Sequence, residues 1–143
     1  MSKKINFQFL ISYFGLIPYV LTFLDKYYFL VVEEEDLLNF VTYYSLIIIV
    51  FIGSINWNLK NNPPTHIVIY GFLPSLFAVI IIILSLLNIN LIIIFILIIL
   101  LLLTQLFFDY IILFANESNK QAFNYLRLPL TVLIILFLFL ISL

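Results

Sequence analysis

The chain has 143 residues, of which 66% are hydrophobic and 9% charged, with a mean hydropathy of +1.29. Soluble domains carry about 45–50% apolar and about 25% charged residues; a chain this short could not hide so much apolar surface from water, so its solvent is lipid. Six Lys and Arg against seven Asp and Glu argue against a nucleic-acid binder, and the lack of cysteine excludes a disulfide or thiolate–metal framework.

A hydrocarbon core of about 30 Å takes roughly 20 apolar residues as a helix. Five stretches meet or approach that length, at about 7–24, 37–59, 67–87, 91–114 and 126–143. The first follows Lys3 and Lys4 and contains Gly15 and Pro18, the proline being expected to kink it. A cleaved signal peptide is the alternative. No small-x-small site follows the apolar run, however, so a retained span is expected. Glu33, Glu34, Glu35 and Asp36 lie at the start of the second stretch, where the helix dipole favours negative charge. Asn61-Asn62-Pro63-Pro64-Thr65 signals a stop and turn, and Pro74 is expected to kink the third stretch. Asn88-Ile89-Asn90 leaves room only for a tight hairpin, and Pro129 falls in the first turn of the fifth stretch.

Runs rich in Ile and Val, as at 80–83 and 92–94, would suggest buried strands in water. In lipid an open strand leaves backbone groups unpaired and a barrel needs alternating polarity, which is absent here. The expected fold is all-α, a polytopic membrane bundle of five transmembrane helices forming a single domain over residues 1–143. Five spans bring Lys3, Lys4, Lys60, Lys120 and Arg127 to one side and leave only Lys26 on the other. The positive-inside rule then puts the N-terminus inside and the C-terminus outside.

Polar residues within spans are the default functional candidates. Asp109 is the acid set well inside a span, and Gln105 lies four residues earlier on the same helical face. Arg127 falls at the same inner level, so an Asp109–Arg127 ion pair is expected, fixing two neighbouring helices. In the second span Gly53 and Ser54 permit close helix approach, Asn56 can hydrogen-bond across helices, and Trp57 suits interface anchoring. Gly71 and Ser75 form a small-xxx-small pair around Pro74. Gly53, Asn56, Trp57, Gly71, Pro74, Gln105, Asp109, Tyr125 and Arg127 all map to the inner half, which points to a common inner-leaflet polar and packing cluster. His66, the single histidine, reads as a solvated loop residue rather than a metal or haem ligand. The acidic run at 33–36 reads as a solvated face. Nucleophile–base dyads, phosphate loops and paired catalytic carboxylates are missing, so neither catalytic residues nor cofactors are assigned. The excess of residues with AT-rich codons (16 Phe and 9 Tyr against 3 Gly and 5 Pro) suits an AT-rich bacterial or organellar genome and is discounted as functional evidence.

The order of several motifs resembles a family of small integral membrane proteins of unknown function that includes mitochondrial transmembrane protein 69. These are Gly15-Leu16-Ile17-Pro18, Tyr44-Ser45, Phe51-Ile52-Gly53-Ser54-Ile55-Asn56-Trp57 and Tyr70-Gly71-Phe72-Leu73-Pro74-Ser75, followed by Gln105-Leu106-Phe107-Phe108-Asp109 and Tyr125-Leu126-Arg127-Leu128 with Thr131. Ser54 and Asn56 stand where that family usually has a second Gly and a His or Arg, which puts a titrating role there in doubt. The basic residue usual shortly after Arg127 is also missing near Pro129. The resemblance implies a five-span inner-membrane protein and supplies no activity, substrate or cofactor.

The expected function is therefore a non-enzymatic accessory or assembly component of a larger membrane complex. The alternative is a small transporter or channel component using Gln105, Asp109 and Arg127. Expected partners are the lipid bilayer and either other membrane proteins or further copies of the chain. The expected location is a bacterial inner membrane, with the mitochondrial inner membrane as alternative.

Overall fold

The computed structural model describes residues 7–54, 64–113, 120 and 123–143, and these are helical apart from short turns. In chain order they form α1 (Phe7–Phe14), α2 (Ile17–Leu24) and a π-helical turn (Asp25–Phe29), then α3 (Glu34–Ser54), α4 (Thr65–Leu86) and α5 (Leu91–Leu113). A second π-helical turn (Phe123–Arg127) leads into α6 (Leu128–Ser142). No strand occurs among the described residues. Glu34–Ser54, Thr65–Leu86, Leu91–Ile111 and Phe123–Ser142 are each long and apolar enough to cross a membrane. By length and composition the chain is a membrane protein.

The first segment departs from expectation. It is two eight-residue helices rather than one kinked helix over 7–24. Backbone bonds from the Gly15 N–H to the Ser12 carbonyl (3.2 Å) and from the Leu16 N–H to the Tyr13 carbonyl (3.0 Å) close a tight turn between them. Pro18 therefore does not kink a continuous helix. It sits in the first turn of α2, where an absent N–H leaves no bond unmade. The Tyr44 hydroxyl of α3 donates to the Gly15 carbonyl at 2.8 Å, supplying a partner for the broken backbone.

The remaining boundaries follow local chemistry. The acids Glu34, Glu35 and Asp36 occupy the first turn of α3, which starts three residues earlier than the apolar run suggests. Residues 55–59 of that expected span, and 61–63 of the following turn, lie outside the described residues. Between α4 and α5, Asn88 takes a left-handed conformation (φ 57°) and Asn90 Oδ1 accepts from the Ile92 N–H at 2.9 Å, giving the tight hairpin. Pro129 lies in the first turn of α6, as its position suggested. His66 is exposed in the first turn of α4 rather than in a loop.

α3 is the hub. It packs against α2, α4, α5 and α6, while α2 touches α6, α6 touches α5 and α5 touches α4 around it. Tyr19, Val41, Ile49, Ile98, Leu102 and Leu138 fill the space between them. Ile47, Phe51, Phe72, Phe107 and Phe139 face outward, an arrangement that lipid tolerates and water would not. Beyond α2, Lys26 Nζ donates to the Ile141 carbonyl (2.6 Å) and pairs with Glu34 (2.9 Å), and the Tyr27 hydroxyl donates to the Leu140 carbonyl (2.7 Å). These bonds satisfy carbonyls that the last turn of α6 cannot pair internally. They also place Lys26 at the opposite end of α6 from Arg127.

Candidate functional site

Four buried or half-buried polar side chains, Gln105, Asp109, Arg127 and Thr131, meet with Tyr70 at one level near the start of α6. Helical spacing puts Gln105 and Asp109 on one face of α5, and both are buried, at 2% and 4% exposure. The π-helical turn before α6 carries Arg127 to that face, where its Nε donates to Asp109 Oδ2 in a buried ion pair. One helical turn later, Thr131 Oγ1 accepts from Arg127 Nη1 at 3.2 Å. From α4, the Tyr70 hydroxyl lies 2.8 Å from Asp109 Oδ1 and 3.0 Å from the Gln105 carbonyl. It has a single proton, and the ionised carboxylate is the stronger acceptor. Gln105 Nε2 reaches across to the Ile49 carbonyl of α3 at 3.0 Å. One network thus ties α3, α4, α5 and α6 together.

The electrostatic logic is that of a matched pair in a poor solvent. A lone carboxylate or guanidinium at this depth would be strongly disfavoured, whereas the pair is neutral and oriented by two further hydrogen bonds, from Tyr70 to Asp109 and from Arg127 to Thr131. Two polar atoms of the network, Gln105 Oε1 and Arg127 Nη2, are enclosed without a hydrogen-bond partner among the described residues.

Gly53, Gly71 and Pro74 form a second, apolar contact. All three are buried at the α3–α4 crossing, and a Cβ added to Gly53 would lie 2.8 Å from Pro74 Cγ and 2.9 Å from the Gly71 carbonyl. Only a glycine lets the two backbones meet so closely. Ser54 is exposed and bonds the Phe51 carbonyl, so it adds nothing to this crossing.

Of the nine residues singled out from sequence, the structure joins Gln105, Asp109 and Arg127 in the network, and Gly53, Gly71 and Pro74 in the crossing. Asn56 and Trp57 lie outside the described residues. Tyr125 does not belong with either group: its side chain is 68% exposed. The reason is helical geometry, since Phe123 is buried and Arg127 turns inward, and a residue two positions from each lies on the opposite face. Only its backbone carbonyl takes part in packing, accepting from the Tyr13 hydroxyl of α1 at 2.7 Å.

Sequence reasoning missed the bridging role of Tyr70, which lies 39 positions from Asp109. A buried tyrosine hydroxyl needs a partner, but nothing local says which. It also missed the Tyr19 hydroxyl, which lies 2.9 Å from Ser45 Oγ and joins α2 to α3. It did not pair Thr131 with Arg127 either, although four-residue spacing on one helical face is a signal that points to the contact.

Among the described residues, no three His, Asp or Glu side chains gather as metal ligands would. Comparison with curated proteins and with solved structures gives no match. The family model described as "Protein of unknown function (DUF3429)" matches residues 6–143, nearly the whole chain and every element described above. This protein belongs to the DUF3429 family.

Proposed function

We propose that this protein is a five-span integral protein of an energy-transducing inner membrane, bacterial or mitochondrial. In this reading it serves as a non-enzymatic accessory or assembly component of a larger membrane complex. The observation that carries the reading is the use made of the polar residues. Tyr70, Asp109, Arg127 and Thr131 hold helices to one another, and Tyr13, Tyr27 and Tyr44 hold the first segment to the rest through backbone carbonyls. Such bonds favour a fixed scaffold with an apolar exterior over a reactive centre.

The first segment supports a fifth span, because α1, α2 and the following π-helical turn run from the level of Tyr125 to the end of α6. Lys120 and Arg127 flank one end of the bundle, and the acidic run at 33–36 flanks the other. That distribution supports an inner N-terminus and an outer C-terminus.

Transport through the protomer is the weaker reading. The network is backed along α5 by Ile94, Ile98 and Leu102, all buried and apolar, and no polar side chain continues that face toward the outer end. The accessory role is tested by mild detergent extraction from the native membrane, blue-native electrophoresis and mass spectrometry of the band. A heavier species with a reproducible membrane-protein partner is expected. Migration solely as an isolated protomer would count against the role.

A further inference from the structure

The connection from α2 to α3 carries an unbroken apolar run. Tyr28, Phe29, Leu30, Val31 and Val32 follow one another, and each is between 46% and 80% exposed. A turn standing in water is ordinarily built from Gly, Pro, Asn, Asp and Ser and leaves its free amides to the solvent. This one does neither. Leu30 takes a left-handed conformation (φ 53°), and its N–H donates to the Asp25 carbonyl at 2.7 Å. The Asp25 carboxylate accepts from the next two N–H groups, of Val31 at 3.4 Å and of Val32 at 3.0 Å. Three successive amide donors thus close on one residue. The neighbouring cation is also taken up internally, since Lys26 pairs with Glu34 and bonds the Ile141 carbonyl. The loop turns its donors inward and its apolar side chains outward.

We propose that residues 28–32 are immersed in the lipid interface, between the headgroups and the first acyl segments, and anchor this end of the bundle in one leaflet. The level of the loop selects lipid as its surroundings. Lys26 and Tyr27 bond the Ile141 and Leu140 carbonyls, at the end of a span of 20 residues. Such a span covers about 30 Å, the thickness of the hydrocarbon core, so the loop starts at the boundary. From there it turns back along the bundle. Phe29 and Val32 share the wall of a groove of about 620 Å³ with Pro18, Leu21 and Phe40. Pro18 lies about 10 Å deeper along α2 than Asp25, at 1.5 Å per residue. Leu21 and Phe40 are themselves exposed, so the apolar surface of the loop is continuous with the lipid-facing surface of the spans. Tyr28 adds an amphipathic ring of the kind enriched at membrane boundaries, and the acids at 33–36 return the chain to water. The inference rests on the membrane-crossing helices and not on the accessory role, so loss of that role leaves it standing.

The test is spin-label accessibility in the full-length chain, which has no cysteine to remove. Tyr28→Cys and Val31→Cys are labelled singly and placed one copy per nanodisc of dioleoyl phosphatidylcholine and dioleoyl phosphatidylglycerol. Both substitutions leave Asp25, Lys26 and Glu34 in place, and helical circular dichroism checks that the bundle is intact. Ile47→Cys, on the outward face of α3, gives the lipid reference, and Glu33→Cys, in the acidic run, gives the water reference. Both loop labels are expected to be shielded from a water-soluble nickel chelate several-fold more than the label at 33, and to be reached by oxygen as lipid-facing labels are. Adding Val31→Asp to Tyr28→Cys is expected to restore nickel access at position 28, because a carboxylate is unfavourable among lipid chains. Nickel access at 28 and 31 equal to that at 33 overturns the proposal and leaves the loop in water. Shielding that survives Val31→Asp also overturns it, since something other than lipid then covers the loop. So does shielding found in vesicles crowded with the protein but absent from single-copy discs, which would make a second copy the occupant.

Discussion

Asp109 shows how one side chain can join three elements of a largely apolar bundle. Its two carboxylate oxygens hold a tyrosine from α4 and an arginine from the start of α6, while the chain itself belongs to α5. Removing one member of a buried pair strands the other, at about 3–5 kcal/mol, whereas replacing both by apolar residues is often tolerated. Asp109→Leu is therefore expected to destabilise the protein by about 3 kcal/mol, and Asp109→Leu with Arg127→Met to recover most of the loss. Reversible unfolding in mixed micelles, followed by helical circular dichroism, measures both. Tyr70→Phe keeps the ring and its packing on Phe108 but removes the hydroxyl. A loss of about 1 kcal/mol is expected in the same assay, the usual worth of one interhelical hydrogen bond. The pairing of Asp109 with Arg127 was legible because both charges fall at one depth of adjacent spans. Tyr70 was not, since the only local cue is that it has a hydroxyl.

At the scale of elements, the α3–α4 crossing depends on the space left by Gly53. A methyl group there meets Pro74 and the Gly71 carbonyl at under 3 Å, and neither is the end of a flexible chain. Gly53→Ala is expected to cost about 1–3 kcal/mol by forcing the helices apart. The mixed-micelle unfolding assay reads that loss. Disulfide trapping across the crossing, with cysteines placed in this cysteine-free chain, would report the separation. The C-terminal end of α6 depends instead on polar side chains from the first segment. Lys26→Met removes the donor to the Ile141 carbonyl and the pair with Glu34 together. Faster amide exchange is expected in the last turn of α6 and in the turn after α2, with the α4–α5 hairpin unchanged. The hairpin and the proline positions were readable because asparagine and proline act on their own backbone. The division of the first segment was not. Gly15 and Pro18 permit either a kink or a break, and the break found has its Gly15 carbonyl satisfied by Tyr44, from another helix.

For the whole molecule, the proposed topology makes a direct prediction. The chain has no cysteine, so single substitutions report their own side of the membrane. Glu33→Cys and Ile89→Cys are expected to react with an impermeant maleimide in intact cells or mitoplasts, and His66→Cys only after permeabilisation. Labelling of all three from one side would remove the five-span arrangement. The helical class and the four apolar stretches long enough to cross a membrane were determined by the sequence alone, because helix length and lipid thickness are matched. Tertiary structure decided which helices meet, that Tyr70 and Gln105 bind the pair and its neighbours, and that Tyr125 turns away. Almost every face of these helices is equally hydrophobic, so periodicity carries no record of which side is buried. In such a chain the choice of neighbours rests on a few glycines and hydroxyls whose partners are distant in sequence, and only the assembled bundle brings them within reach.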